Sequence, residues 1–282
     1  MATREQARRG LAIYFTVVLG VSAALESWII SHGGLQGPAG WLVLPLMYTP
    51  ALGSIVARLV GREGIRDISF RWGGATGTRA SIAAWLLPVA VGLAAYGVAW
   101  ATGLVEFAAP TRGRFGDIAN PAFRLLALIP LALTVGTVQS CVSAFGEELG
   151  WRGYMVPRLV EAQVRSPDVV SGLIWCAWHV PLILWGGYSV GKYPALSVLL
   201  FVATIMPVAL LYFRWRMASG SIWPTVIAHG AWNVVIQAVF DRYTRGEGAT
   251  IWVGESGVLT AVAMWAAFVL MRRARWAGTV AP

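Results

Sequence analysis

Charged residues are scarce in this sequence, and their scarcity excludes a soluble globular fold. Asp, Glu, Lys and Arg make up 12% of the 282 residues, whereas soluble domains carry about 25%. A chain of this length therefore has too few charges to cover the surface of a globule in water. The deficit falls in long apolar stretches, and 57% of the residues are hydrophobic. The sequence thus predicts a protein that is solvated by lipid.

Cysteine is nearly absent as well. Cys141 and Cys176, the two cysteines, both lie in apolar stretches, which argues against a disulfide framework and against a zinc site built on cysteine spacing. We expect both to be buried structural thiols. The net charge of +9 does not indicate nucleic-acid binding, because the basic residues stand singly or in small groups at the ends of apolar stretches.

Eight apolar windows are long enough to cross a bilayer, for which a helix needs about 20 residues. They lie near residues 11–31, 41–60, 79–103, 122–145, 168–187, 195–213, 221–240 and 253–271. Kinks rather than breaks are expected at four internal prolines, Pro88, Pro130, Pro181 and Pro207, because membrane helices tolerate proline. No repeat or linker divides the chain, so the sequence predicts one all-α domain over residues 1–282, a polytopic transmembrane helical bundle of about eight helices.

The basic residues are unevenly distributed between the two ends of these windows. If both termini lie on one side, that side also holds a basic loop at 61–79. Only six of the 22 basic residues then lie on the other side: Arg112, Arg114, Arg124, Lys192, Arg242 and Arg245. Because cytoplasmic loops are enriched in Lys and Arg, the sequence predicts a multi-pass protein of the cell membrane with both termini in the cytoplasm.

Two adjacent glutamates, Glu147 and Glu148, follow directly after the fourth apolar window. On a helix, Glu148 and Arg152 share a face, whereas Glu147 points about 100° away. Two carboxylates in a poorly solvated place are not both ionised unless a cation compensates them, and Arg152 can be that cation. The alternative is that both glutamates belong to a solvated cytoplasmic loop and pair there with Arg152 or Arg158.

Two of the three histidines lie inside apolar windows. His179 follows Trp175 by four residues and His229 precedes Asn233 by four, so that each pair shares a helix face. An imidazole and a carboxamide that project together can donate hydrogen bonds to an oxyanion. The alternative for both histidines is a polar contact between helices. One further ionisable residue, Glu26 in the first window, is expected to be mainly structural.

Together these residues offer a carboxylate that can activate water, a second carboxylate with an arginine counter-ion, a histidine, and a His/Asn pair of donors. This chemistry suits the hydrolysis of an amide. The three segments lie in a core of about residues 122–240 and can meet in the cytoplasmic half of the membrane, with the glutamates ending the fourth helix. No G-x-S-x-G or H-E-x-x-H motif occurs. Two histidines and a carboxylate could also hold a divalent metal, so metal-assisted hydrolysis is an alternative.

These motifs resemble those of the type II CAAX prenyl endopeptidase and bacteriocin-processing family of intramembrane proteases, known as the ABI or CPBP family. The family's E-E-x-x-x-R pattern is similar to Glu147, Glu148 and Arg152. Its F-x-x-x-H pattern is similar to Trp175 and His179, and its H-x-x-x-N/B pattern to His229 and Asn233. The resemblance is strong from about residue 140 to 235. Trp175 stands where the family usually has Phe, and we expect this difference to affect only packing or substrate fit.

The resemblance implies a glutamate-dependent endopeptidase embedded in the membrane. It implies that Glu147 and His179 activate water and that His229 and Asn233 form the oxyanion hole. Supporting and orienting roles fall to Glu148 and Arg152. The implied partner is a peptide or protein substrate, prenylated or otherwise membrane-associated, and no cofactor is implied. A function of another class stays open: a non-proteolytic membrane protein that binds a partner or confers bacteriocin immunity, with the polar cluster serving only as contact between helices.

Overall fold

A computed structural model describes residues 3–110, 118–188 and 191–273, and all the long elements in this part of the chain are helices. Six of them are α1 (Arg4–Ser31), α2 (Gly40–Gly61), α3 (Gly74–Ala101), α4 (Pro121–Glu161), α5 (Pro167–Trp185) and α6 (Pro194–Ser219). The last two are α7, which begins as Trp223–Trp232 and continues as the π-helix Asn233–Phe240, and α8 (Val258–Arg272). The predicted all-α helical bundle is confirmed.

The shorter elements lie in the connections. The 3₁₀-helices are Gly34–Gln36, Arg66–Ile68 and Asp241–Tyr243, and one further helical turn is Ala249–Trp252. Two strands of two residues each, β1 (Glu106–Phe107) and β2 (Thr244–Arg245), pair in antiparallel fashion. These elements lie in the connections between the helices, and β1 and β2 form a sheet of only two short strands.

Within the described residues, each of the eight predicted windows overlaps one of the helices α1 to α8, and six of these helices, α1 to α6, are long and apolar enough to cross a membrane. Large apolar side chains are exposed on the outer surface of the bundle, among them Leu59, Val138 and Leu199, and such a surface suits lipid rather than water. The protein is therefore a multi-pass membrane protein. The number of eight spans, the single domain and the cytoplasmic termini stay predictions. Arg112 and Arg114, expected on the opposite side, lie outside the described residues.

Helix α4 is longer than the sequence predicted. The fourth window ended at residue 145, but the helix continues through both glutamates to Glu161. Its 41 residues span roughly 60 Å at 1.5 Å per residue, about twice the thickness of the hydrocarbon core. The predicted window ended early because the charged residues after it lower the hydropathy of the sequence. In the bundle these charged side chains are paired with protein partners. The glutamates therefore lie within a helix, and the alternative of a solvated loop is wrong.

Prolines and π-helical turns shape the helices without ending them. All four internal prolines lie inside helices that continue through them, as predicted. Helix α4 is π-helical at Ala132–Gly136 and at Trp151–Met155, and α7 is π-helical from Asn233 onwards. π-Helical turns are rare in proteins, and those that occur are often found at functional sites. Here two of the three include a predicted site residue, Arg152 in α4 and Asn233 in α7.

The helices that carry the motifs converge in the core. Helix α7 packs against both α3 and α4, α4 packs against α2, and α5 packs against α6 and approaches the Trp151–Met155 turn of α4. A continuous set of buried aromatic and aliphatic side chains fills these interfaces. The three motifs of α4, α5 and α7 thus meet inside the bundle.

Candidate active site

Glycines let α4 approach its two neighbours closely on either side of the glutamates. A Cβ atom on Gly150 would lie 2.3 Å from the carbonyl carbon of Pro50 in α2. Likewise, a Cβ atom on Gly230 in α7 would lie 2.8 Å from Sγ of Cys141 in α4. Both distances are shorter than real Cβ contacts, so neither interface accepts a larger residue without movement. The glutamates and His229 are brought together by these two approaches.

Glu148, Arg152 and His229 form one hydrogen-bonded cluster. Oε1 of Glu148 accepts from an Nη atom of Arg152 at 2.9 Å and lies 3.0 Å from Nδ1 of His229. None of the three residues is more than 6% exposed. Because an ionised carboxylate can only accept, Nδ1 of His229 carries the hydrogen of this bond. The contact between Glu148 and Arg152 expected from their spacing is present, and His229 joins it from another helix.

Glu147 is held by two tryptophans. Its Oε2 accepts from the indole N–H of Trp175 at 2.9 Å and from that of Trp151 at 3.3 Å. Its Oε1 lies 3.9 Å from Nε2 of His229 and accepts no hydrogen bond from the described residues. The side chain is 2% exposed. One oxygen of this carboxylate is thus anchored, while the other faces the imidazole of His229.

His179 is connected to this cluster through Trp175. Its Nδ1 lies 2.8 Å from the carbonyl oxygen of Trp175, and because a carbonyl only accepts, Nδ1 carries a hydrogen. In the neutral ring Nε2 then holds a lone pair. The rings of Trp178, Tyr188 and Phe201 lie 4.9, 5.6 and 5.0 Å from the imidazole, measured between centroids. The histidine is therefore held in one orientation among aromatic side chains.

Asn233 is the least constrained of the six predicted site residues. It is half-buried, and its backbone N–H bonds to the carbonyl of His229, so that the two residues lie one helical turn apart. Its carboxamide makes no hydrogen bond within the described part of the chain. The structure thus links Glu147, Glu148, Arg152 and His229 directly and His179 through Trp175. Asn233 joins the others only as the neighbour of His229 along α7.

The π-helical turn that carries Arg152 is fixed by arginines from other helices. Nε of Arg216 donates to the carbonyl oxygen of Arg152 at 2.9 Å, and an Nη atom of Arg58 donates to that of Gly153 at 3.0 Å. The guanidinium carbon of Arg152 lies 4.2 Å from the ring centre of Trp175. Backbone and side chain of Arg152 are therefore both held in place.

A network of ion pairs lies at the C-terminal end of α4. Arg158 pairs with Glu63 at 2.6 Å, with Asp67 at 2.8 Å and with Glu161 at 2.7 Å, and Arg58 pairs with Asp67 at 2.5 Å. Burial alone would raise the pKa of Asp67, but the hydrogen bond from Arg58 and the charges of both arginines lower this pKa below its usual value. The network ties the connection between α2 and α3 to α4.

The two tryptophans that hold Glu147 are not among the predicted site residues. The expectation that Trp175 affects only packing or substrate fit is wrong, because its indole also donates to Glu147. A signal was available, since Trp151 lies four residues after Glu147 and Trp175 four before His179, both on the faces that carry the motif. Glu26 is buried, with one carboxylate oxygen lacking a hydrogen-bond partner in the described chain, and its structural role stays a prediction.

The described residues offer no group of three or more His, Cys, Asp or Glu side chains arranged to hold a metal ion. Both cysteines are free thiols, with Cys176 buried and Cys141 only half-buried. What the site does hold is a pair of buried carboxylates, two histidines and an arginine. These groups can exchange protons with water and stabilise a developing charge.

The match to a family model agrees with the motifs. The family described as type II CAAX prenyl endopeptidase, Rce1-like, matches residues 129–235, a segment that runs from α4 into α7 and includes all six predicted site residues. The family resemblance inferred from the sequence is confirmed, and the family is one of proteases. No curated protein matches the chain.

Proposed function

From the match of residues 129–235 to the type II CAAX prenyl endopeptidase family, we propose that the protein is an intramembrane endopeptidase of the cell membrane. It cleaves a peptide bond near the cytoplasmic face. Its substrate is a peptide or protein that is prenylated or otherwise associated with the membrane. Glu147, Glu148, Arg152, His179, His229 and Asn233 carry the reaction.

The observation that supports this proposal is the buried pair Glu147 and Glu148 with its counter-charges. Two buried carboxylates destabilise a fold unless cations compensate them. Arg152 balances one of the two negative charges, and in the proposed reaction His229 balances the other as an imidazolium. A contact that only joined helices would need neutral hydrogen bonds and no such charge balance. A charged, enclosed and compensated site is instead typical of general acid–base catalysis.

The proposed reaction begins with a water molecule beside Oε1 of Glu147. Glu147 accepts a proton from this water as the water oxygen attacks the carbonyl carbon of the scissile bond. Nε2 of His179 is the second acceptor that orients the water. The carbonyl oxygen becomes an oxyanion, which receives hydrogen bonds from Nε2–H of His229 and the carboxamide of Asn233. Glu147 then returns the proton to the leaving nitrogen as the C–N bond breaks.

A cleavage assay with purified protein in detergent tests the proposal. It uses two synthetic peptides, one with a farnesylated C-terminal Cys-aliphatic-aliphatic-X sequence and one without the farnesyl group. We expect the wild type to cleave the farnesylated peptide, and Glu147→Gln and His179→Ala to lose at least about 100-fold in rate. The matched controls are Glu247→Gln, whose side chain is 92% exposed, and His32→Ala at the end of α1. Both controls should cleave as the wild type does.

Three other outcomes separate the alternatives. Wild-type turnover in both site variants would end the proposal. Lower thermal stability of the site variants, with no cleavage by any form of the protein, would favour the non-proteolytic function. Loss of cleavage on chelation and its recovery with one divalent metal would favour metal-assisted hydrolysis.

A further inference from the structure

The two indole groups on Glu147 bind the same atom. Trp175 and Trp151 both donate to Oε2, at 2.9 and 3.3 Å, and both side chains are buried. An indole N–H can only donate a hydrogen bond, so neither tryptophan can take or deliver the proton of a reaction. What they can do is stabilise the ionised carboxylate and fix the direction in which Oε1 points.

Trp175 differs from an ordinary packing residue because each part of it contacts a different site residue. Its carbonyl oxygen accepts a hydrogen bond from His179, and its indole N–H donates one to Glu147. Its ring lies under the guanidinium of Arg152 and meets the ring of His229 edge-on. Phenylalanine at this position would keep the carbonyl and much of the ring contact and lose only the N–H. The indole nitrogen is therefore the part that packing does not require.

We infer that Trp175 is a positioning residue, with Trp151 as the weaker second donor. Together they anchor Oε2 of Glu147 while Oε1 is presented to water. This inference rests on the proposed function only for the role of Glu147 as the base. It adds a requirement that the motif itself does not contain, namely an indole donor at residue 175.

The pH dependence of kcat/KM for the farnesylated peptide tests the inference. In Trp175→Phe the acidic limb of the profile should move to higher pH by about one unit, because the ionised carboxylate has lost a donor. Trp151→Phe should move it in the same direction by less, since its bond is longer. The matched control is Trp85→Phe, whose indole donates to the carbonyl of Leu133 in α4 at 2.6 Å, far along the helix from Glu147. Its profile should coincide with that of the wild type.

An unmoved acidic limb in a folded Trp175→Phe protein would overturn the inference, as would an equal movement in the Trp85→Phe control. A second measurement does not depend on cleavage. In ¹H–¹⁵N spectra of the full chain in detergent, the indole signals of Trp175 and Trp151 should shift with pH, and this shift should vanish in Glu147→Ala while the signal of Trp85 stays constant. Indole signals with the same pH dependence in the wild type and in Glu147→Ala would overturn the inference even if the wild type cleaves the peptide. The expected shifts without any cleavage would contradict the proposed function alone.

Discussion

The imidazole of His229 and the carboxylate of Glu148 are joined by a hydrogen bond of 3.0 Å that bridges 81 residues of sequence and connects α7 to α4. The same oxygen of Glu148 also accepts from Arg152. All of these groups are buried, so each charge depends on the others for its stabilisation. Removing one of them leaves a buried charge without its partner, which is strongly destabilising.

Arg152 should therefore contribute more to stability than an arginine on the surface. Arg152→Ala leaves the two buried carboxylates without their permanent cation, and we expect the free energy of unfolding to fall by about 3–5 kcal/mol. Denaturant titration in detergent measures this change. Arg8→Ala, at an exposed position of α1, is the control and should cause no measurable loss. Equal stability of the two variants would contradict the charge balance proposed for the site.

The close approach of α4 to α2 gives a second prediction. Gly150→Ala places a Cβ atom against the backbone of Pro50, which cannot move aside like a flexible side chain, and should lower the free energy of unfolding by about 1–3 kcal/mol. Cleavage should fall as well, because the glutamates shift with α4. Gly20→Ala is the control, since a Cβ atom there meets nothing within 4 Å. An unfolding temperature of Gly150→Ala at or above that of Gly20→Ala would show that the two helices are not held this closely.

The ion-pair network at the end of α4 predicts a pH dependence of stability. The pKa of Asp67 is lower in the folded chain than its usual value, so its contribution is fully present above the usual aspartate pKa of about 4 and is lost as the pH falls through the lower folded pKa. Asp67→Asn should lower the free energy of unfolding by about 1–2 kcal/mol at pH 7. The difference from the wild type should shrink below about pH 4. Thermal unfolding at pH 7 and pH 3 measures both values, and a constant difference would contradict the role of this charge.

Spacing along a single helix predicted the contacts that lie within one element. Glu148 and Arg152 are four residues apart, and helical geometry alone places them together. The contact between Glu148 and His229 could not be derived in this way, because it depends on how closely α7 approaches α4. The glycine at residue 230 permits this approach, but a glycine in the sequence does not indicate which helix will pack against it. Assembly of the site is a property of helix packing.

Two features of the structure do not follow from the sequence patterns, for chemical reasons. The predicted end of the fourth window was too early because hydropathy treats Glu147, Arg152 and Arg158 as residues that need water, whereas in the bundle each of them has protein partners. The tryptophans of the site were treated as apolar surface, although the indole ring also carries a hydrogen-bond donor. Both differences have one origin, because hydropathy assigns a polarity to each residue without the partners that folding supplies.

The proposed function depends on Glu147, which activates water for cleavage of a peptide bond in the membrane. Its most direct test is a comparison of new peptide termini in membranes that contain the wild type, Glu147→Ala or the exposed control Glu247→Ala at equal protein levels. We expect one or more termini near the cytoplasmic ends of membrane-associated proteins. These termini appear with the wild type and with Glu247→Ala and are absent with Glu147→Ala. The same set of termini with all three proteins would contradict this role of Glu147.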